Sequence, residues 1–196
     1  IGELKIENPQ NGLLADITGA LSGLSHGADS ISAKDLAVRL RLMPGSTDCV
    51  TAFVPDRKAP GLSNILRSLG KVSLSAKANG RLSGFDATAD IRTSVGDIVA
   101  DASGSLINKR WTLSAGFDGT NLRPSALMQK GELAKLEYIS LSGTFDGSFG
   151  GGRALTGDAG VTVTSAVFNG YNFSDIDAEL SLAADKTFNG MLAMGN

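Results

Sequence analysis

Apolar and polar residues alternate along most of this chain. In Lys71–Asn79, every second position is apolar (Val72, Leu74, Ala76 and Ala78), with lysine, serine and asparagine between them. Successive strand residues point to opposite faces of a sheet, so this period of two predicts a strand with one apolar and one polar face. The same alternation predicts strands at residues 4–6, 13–17, 36–42, 85–92, 97–103, 111–118, 139–146, 159–163, 175–182 and 188–194.

Two short stretches break the alternation and predict helices. Between Ala59 and Leu69 apolar residues recur at spacings of three and four, and Gly70 supplies a stop. In Arg123–Gln129, Pro124 suits a first helical turn. The predicted organisation is a strand segment at 1–58, a short amphipathic helix at 59–70 and repeated strands at 71–196, which we expect to continue the first segment in one groove.

Charge and composition remove several classes of function. Lysine and arginine number 18 against 20 aspartate and glutamate, a net charge of -2, which offers no basic footprint for nucleic acid and no polybasic anchor for anionic lipid heads. Cys49 and His26 are the only cysteine and histidine, so an internal disulfide, a cysteine-built zinc or iron–sulfur site and a multi-histidine metal site all lack material. We predict no metal, no cofactor and no nucleic-acid partner.

One catalytic motif occurs. Gly23–Gly27 fits the G-x-S-x-G turn that exposes a nucleophilic serine. Its Ser25 needs a histidine base from elsewhere in the fold, but the sole histidine, His26, is its sequence neighbour. We interpret the motif as a glycine-bearing loop and predict no catalytic residues and no enzyme activity.

A second cluster consists of Asp175, Asp177 and Glu179. Paired carboxylates can bind calcium or transfer protons. Their spacing of two places them together on the polar face of a predicted strand, opposite Ile176 and Ala178. We interpret them as a solvated strand face.

Five segments, taken in order along the chain, carry a resemblance to a known family: Leu66–Leu74, Thr93–Asp97, Asn121–Leu122 with the short helix that follows, Val167–Ile176 and Phe188–Gly190. In this order they resemble the TamB branch of the AsmA-like, bridge-like lipid-transfer family, particularly its Bacteroidetes members. The chain begins at Ile1 rather than Met, and we expect an internal or C-terminal piece of a longer protein.

The resemblance implies a periplasmic section of an envelope protein anchored in the inner membrane by an N-terminal helix. Family members fold as long U-shaped sheets with an apolar inner face, and they are implicated in moving phospholipid between membranes or in outer-membrane biogenesis with an outer-membrane barrel as partner. We therefore expect an all-β chain: a long, curved, mostly antiparallel sheet, shaped as a trough or U-shaped groove (a β-taco), with one or two short helices. Its expected ligand is phospholipid or another acyl lipid, and any barrel partner would bind parts outside this chain.

The residues themselves leave several ways to hide one apolar face: a sandwich of two sheets, a closed barrel, or a trough around a lipid chain. Two tyrosines and one tryptophan cannot form the aromatic belts of a membrane barrel. The alternative is a non-catalytic structural β-sandwich, a scaffold or adhesin-like module with a dry core. Open sheet edges would also invite pairing between copies. The predicted groove lining is Val72, Leu74, Ile91, Ile98, Leu113, Phe117, Leu141, Phe145, Val161, Val163, Ile176 and Leu180.

Overall fold

The computed structural model describes residues 2–8, 12–23, 32–43, 62–81, 83–128, 131–185 and 187–195. These residues form twelve strands, and all twelve belong to one antiparallel sheet. Two short α-helices and one 3-10 helix complete the regular structure of the described residues. The predicted all-β fold, a long antiparallel sheet with one or two short helices, is confirmed.

The strands are β1 (Glu3–Asn8), β2 (Leu13–Ser22), β3 (Ser32–Leu42), β4 (Val72–Arg81), β5 (Gly84–Thr93), β6 (Gly96–Ile107), β7 (Arg110–Leu122), β8 (Leu136–Gly150), β9 (Arg153–Phe168), β10 (Tyr171–Phe173), β11 (Ile176–Leu182) and β12 (Phe188–Met194). The helices are α1 (Leu62–Leu69), α2 (Pro124–Leu127) and the 3-10 helix Glu132–Lys135.

The sheet is a meander in which nearly every strand pairs with the next strand along the chain. The exception is the short β10, which pairs with the last residues of β9, while β11 pairs with an earlier part of the same strand. Among the described strands, β1 and β12 pair only with β2 and β11, respectively, and so form two open edges. The strands of residues 1–58 join those of 71–196 through the β3–β4 pair.

Tight turns connect the long hairpins. Asn108 and Lys109, at φ 52° and 63°, join β6 to β7, and Gly151 and Gly152, at φ 63° and 72°, join β8 to β9. Two consecutive residues with positive φ are typical of the type I′ turn, whose twist matches that of the flanking strands. These turns therefore favour the sequential hairpins of a meander.

The helices lie at one end of the strands, where β4 and β8 begin and β7 ends. α1 contacts α2, and α2 contacts β8. The turn between β5 and β6 is tied to this end, because the Ser94 N–H donates to the Leu69 carbonyl at 3.0 Å and the Arg123 N–H donates to the Val95 carbonyl at 2.8 Å. We call this end of the sheet the helical margin.

Aromatic side chains mark the opposite end of the strands. The Trp111 ring meets Phe85 edge to face, with centroids 6.2 Å apart, and stacks on Phe149 at 6.3 Å. Such pairs stabilise a sheet beyond the apolar area they bury. We call this end the aromatic margin.

Very few hydrophobic side chains are fully buried. Among the described residues they are Leu42, Val72 and Ala166. Leu42 and Val72 are paired across β3 and β4 close to the helical margin. All described strands belong to a single sheet, so within this part of the chain no second sheet covers the apolar face.

Candidate functional site

Strand pairing aligns the apolar residues into rows that cross the whole sheet. We call a set of residues paired directly from strand to strand a register row. The central row consists of Leu4, Ile17, Val38, Ala76, Ala89, Ala100, Phe117, Gly143, Val161, Ala178 and Leu192. The aliphatic row, one step nearer the helical margin, consists of Ile6, Ala15, Leu40, Leu74, Ile91, Ile98, Gly119, Leu141, Val163, Ile176 and Met194. Because paired residues share a face, both rows form one continuous apolar face from β1 to β12.

A third row lies one step nearer the aromatic margin. It consists of Leu36, Ala78, Ala87, Ala102, Ala115, Phe145, Ala159, Leu180 and Gly190. It lies on the same face as the other two rows, because it is two residues away from the central row along the regularly paired strands.

The residues predicted as groove lining all lie on this apolar face. The aliphatic row holds Leu74, Ile91, Ile98, Leu141, Val163 and Ile176. Phe117 and Val161 lie in the central row, Phe145 and Leu180 in the third row, Leu113 nearer the aromatic margin and Val72 nearer the helical margin. The register therefore brings these residues to one surface, and their role as lipid lining stays a prediction.

A hollow of about 510 Å³ opens in the apolar face over β3 to β7. Its two ends are formed by Leu36 and Val38 on β3 and by Phe117 on β7. Alanines in two adjacent rows form its floor: Ala76, Ala89 and Ala100 in the central row, and Ala78, Ala87, Ala102 and Ala115 in the third row.

Larger side chains flank this alanine floor. The aliphatic row continues beside it with Leu74, Ile91 and Ile98, and on the other side lie Phe85 and Leu113. A methyl group rises less from the sheet than these side chains do, so the floor is a shallow trough that runs across the strands. Its central row from β3 to β7 covers four strand spacings, about 19 Å.

The lining of the hollow is almost entirely apolar. Lys77, Thr88, Asp101 and Gly116 complete the floor between the alanines, and the pleat directs the side chains of Lys77, Thr88 and Asp101 to the opposite face. Among the described lining residues, none therefore presents a charged side chain to the hollow.

Glycines beneath aromatic rings shape the same face. A Cβ atom built on Gly143 would lie 2.5 Å from Cε1 and 2.7 Å from Cζ of Phe117, and one on Gly104 would lie 3.2 Å from the Phe85 ring. Glycine within a strand permits such close approach of a neighbouring group. Each ring therefore lies down over the adjacent strand.

Charged groups collect on the opposite, polar face. There the Arg92 side chain lies 2.9 Å from Asp90, and its hydrogen bond lowers the pKa of that carboxyl group. At the β1 edge, Lys5 lies 2.7 Å from Glu7, whose hydrogen bond raises the pKa of the lysine. Both pairs are exposed, so they bring little stability.

The predicted acidic cluster is only partly a strand face. Asp177 and Glu179 are exposed on the polar face of β11, and the Thr162 hydroxyl donates to Asp177 at 2.6 Å. Asp175 precedes β11 at φ 55°, outside the strand register. In the described residues, no three histidine, cysteine, aspartate or glutamate side chains are grouped to hold a metal ion.

Several sequence features fall elsewhere. Ser25, His26 and Cys49 lie outside the described residues. The described segments contain no helix that is both long and apolar enough to cross a membrane.

Fold and site together define an open antiparallel meander, with an apolar face that no second sheet covers in the described part of the chain. No protein-family model, curated protein sequence or solved structure gives a significant match to this chain. The resemblance to the TamB branch therefore rests on the sequence segments alone and stays a prediction.

The floor of the hollow is the part of the site that sequence reasoning missed. Its alanines were expected on the apolar faces of their strands, but the predicted lining favoured larger side chains. A signal did exist, because alanine recurs at alternate positions in the consecutive strands β4, β5 and β6. When such strands align, their small side chains produce a depression between larger neighbours.

Proposed function

We propose that the apolar face binds the acyl chains of phospholipid and that the hollow over β3 to β7 seats one chain. The observation that carries this proposal is a hollow with an apolar lining, open in the part of the chain that the structure describes and set within apolar rows that run from β1 to β12. A patch of this kind on a protein surface marks a binding site for an apolar ligand or partner.

Dimensions and energetics support an acyl chain. The hydrocarbon core of a bilayer is roughly 30 Å thick, so the acyl chains of one leaflet span about 15 Å. The trough, about 19 Å long, is therefore long enough to hold one such chain. Each methylene removed from water contributes about 0.8 kcal/mol. The central and aliphatic rows continue beyond the hollow, so an acyl chain that extends past it meets no charged side chain in these rows.

The resemblance suggests the wider setting of this activity. In this proposal the chain is a section of a periplasm-spanning envelope protein whose inner-membrane anchor lies outside it. The full protein would carry phospholipid between membranes or aid outer-membrane biogenesis, and an outer-membrane barrel would bind through other parts of it.

A structural module with a dry core is the competing function. The described strands all lie in one sheet, so a dry core would need a cover from outside these strands, and the apolar face of a second copy is one that fits. That arrangement predicts a lipid-free dimer packed face to face, with interdigitated side chains.

The decisive experiment is native mass spectrometry of the chain purified without detergent, followed by organic extraction and lipid analysis. Ala89→Glu places a carboxylate in the centre of the floor, between Ala76 and Ala100. The matched variant Thr88→Glu places the same group on the polar face, between Lys77 and Asp101.

We expect about one bound lipid molecule per protein molecule in the wild type and in Thr88→Glu, and none in Ala89→Glu. All three proteins should show the same β-sheet circular dichroism spectrum. A folded, lipid-free wild type would refute lipid binding. If the lipid-free wild type were also a dimer, the result would favour the structural module with a dry core over lipid binding.

A further inference from the structure

We infer that Phe117 sets the length of the acyl chain that the hollow accepts, and that Gly143 holds the Phe117 ring in the required position. The inference rests on the proposed function, because it concerns the ligand of the same hollow. It makes Phe117 a determinant of chain length and Gly143 a positioning residue.

Phe117 closes one end of an apolar path that continues beyond it. In the central row it follows Ala100 and precedes Gly143 and Val161. Gly143 presents no side chain and Val161 is aliphatic, so neither charge nor polarity stops a chain at this point. The hollow nevertheless ends at Phe117, a residue that is 37% exposed.

The absence of a side chain at Gly143 determines where the ring lies. Gly143 is buried, and a methyl group there would meet the Phe117 ring at 2.5 Å and the Gly160 carbonyl at 3.0 Å. Separations under 3 Å are not tolerated, so the ring would have to move. The β9 backbone is on the far side of Gly143, so we expect the ring to shift back over its own strand, toward Ala100 and the hollow.

Two substitutions should therefore act in opposite directions. Phe117→Ala clears the ring from the space above Gly143 and lengthens the floor over β8 toward Val161, by about 5 to 10 Å of strand spacing. Gly143→Ala pushes the ring over Ala100 and shortens the floor. The first variant should favour longer chains and the second should favour shorter ones.

The chain offers a matched control for each variant. Phe149 is also 37% exposed, but it stacks on Trp111 at the aromatic margin, so Phe149→Ala removes an equally exposed ring away from the hollow. Gly160 lies in β9 opposite Thr144, where a Cβ atom would meet only the Thr144 hydroxyl, at 3.4 Å. Gly160→Ala thus adds a methyl group without disturbing a ring.

The measurement is displacement of bound 1-anilinonaphthalene-8-sulfonate by saturated fatty acids from decanoate to docosanoate. For the wild type, affinity should rise about fourfold per added methylene until the chain fills the hollow, and then level off. The levelling point, the chain length at which affinity stops rising, should move to longer chains in Phe117→Ala and to shorter chains in Gly143→Ala. It should stay in place in both controls.

The double variant Phe117→Ala/Gly143→Ala separates positioning from general strain. If Gly143 acts through the ring, the double variant should show the long-chain profile of Phe117→Ala. A levelling point unchanged in both single variants would overturn the inference while leaving lipid binding intact. A wild type that binds no fatty acid would instead remove the proposed function.

Discussion

The two faces of the sheet are built by the same strands in the same pairing, yet their chemistry is opposite. On β6, Ala100 is paired with Ala89 on the apolar face, while the next residue, Asp101, is paired with Thr88 on the polar face. A slip of one residue would exchange these faces. The contrast shows that pairing register, and not composition alone, creates the candidate site.

Each face also carries a hollow of similar size. One hollow on the polar face, about 450 Å³, lies over β8 to β12 and includes Asp146, Asp158 and Glu179 in its lining. The alanine-floored hollow measures about 510 Å³. A twisted sheet can be concave on both faces, so the lining decides which hollow suits an acyl chain.

The largest effect should come from moving one charge between the faces at neighbouring positions. Leu113→Arg places a guanidinium on the apolar face between Gly104 and Gly147, whereas Ser114→Arg places it on the polar face opposite Asp146. We expect Leu113→Arg to abolish lipid binding and to lower the free energy of unfolding by about 1 to 3 kcal/mol, and Ser114→Arg to change that free energy by at most about 0.5 kcal/mol. Urea denaturation and lipid extraction measure both effects.

Val161→Asp extends the same test to the central row beyond Phe117. It should behave like Leu113→Arg, because its carboxylate would lie between Gly143 and Ala178 on the apolar face. Equal losses in Leu113→Arg, Val161→Asp and Ser114→Arg would contradict the assignment of the two faces.

The contrast between the faces disappears at β12. Of its three polar-face positions, two carry Met191 and Ala193 and one carries Asn189; the strand has no charged residue, and Leu192 is 67% exposed. The opposite edge strand, β1, carries the Lys5–Glu7 ion pair. Charged side chains protect an open edge from pairing, and uncharged apolar edges invite it.

We therefore expect the chain to self-associate through β12 by antiparallel pairing with a second copy. Met191→Lys should weaken this association about tenfold or more. It replaces an apolar side chain that the pairing would bury with a charge that the same lysine of the second copy repels. The reciprocal change Lys5→Met on β1 should not weaken it. Sedimentation velocity over a range of concentrations and salt measures the association, and a wild type that is monomeric throughout would contradict it.

The smallest effect concerns the carboxylates of the polar-face hollow. Asp146 and Asp158 are paired directly across β8 and β9, and like charges in this arrangement destabilise a sheet. Asp158→Asn should raise the free energy of unfolding by about 0.2 to 1 kcal/mol at low ionic strength. The gain should shrink as salt screens the charges, and a gain that is independent of salt would point to another cause.

The strands and their faces could be predicted because each needs only local alternation. The hollow could not, since it depends on which alanines become neighbours, such as Ala76 and Ala89. Irregular pairing makes the register hard to predict from sequence. It shifts between Thr18 and Ala20 in the β2–β3 pair and between Ala33 and Leu36 in the β3–β4 pair.

The contact between Phe117 and Gly143 shows the same difficulty in a single pair. The two residues meet only because β7 and β8 align across the short helices that separate them. Neither the phenylalanine nor the glycine is unusual within its own strand. Their importance comes from a pairing partner that local sequence does not identify.

The meander order gives this molecule a simple way to change length. Nearly every strand is held by its neighbours along the chain, so its stability resembles that of a linear array with nearest-neighbour coupling. A hairpin consists of two antiparallel strands, so adding or deleting one leaves the direction of every following strand unchanged. The remaining strands can therefore still pair antiparallel with their neighbours. Such a surface can be elongated in evolution by duplication of hairpins, while the binding face already present stays intact.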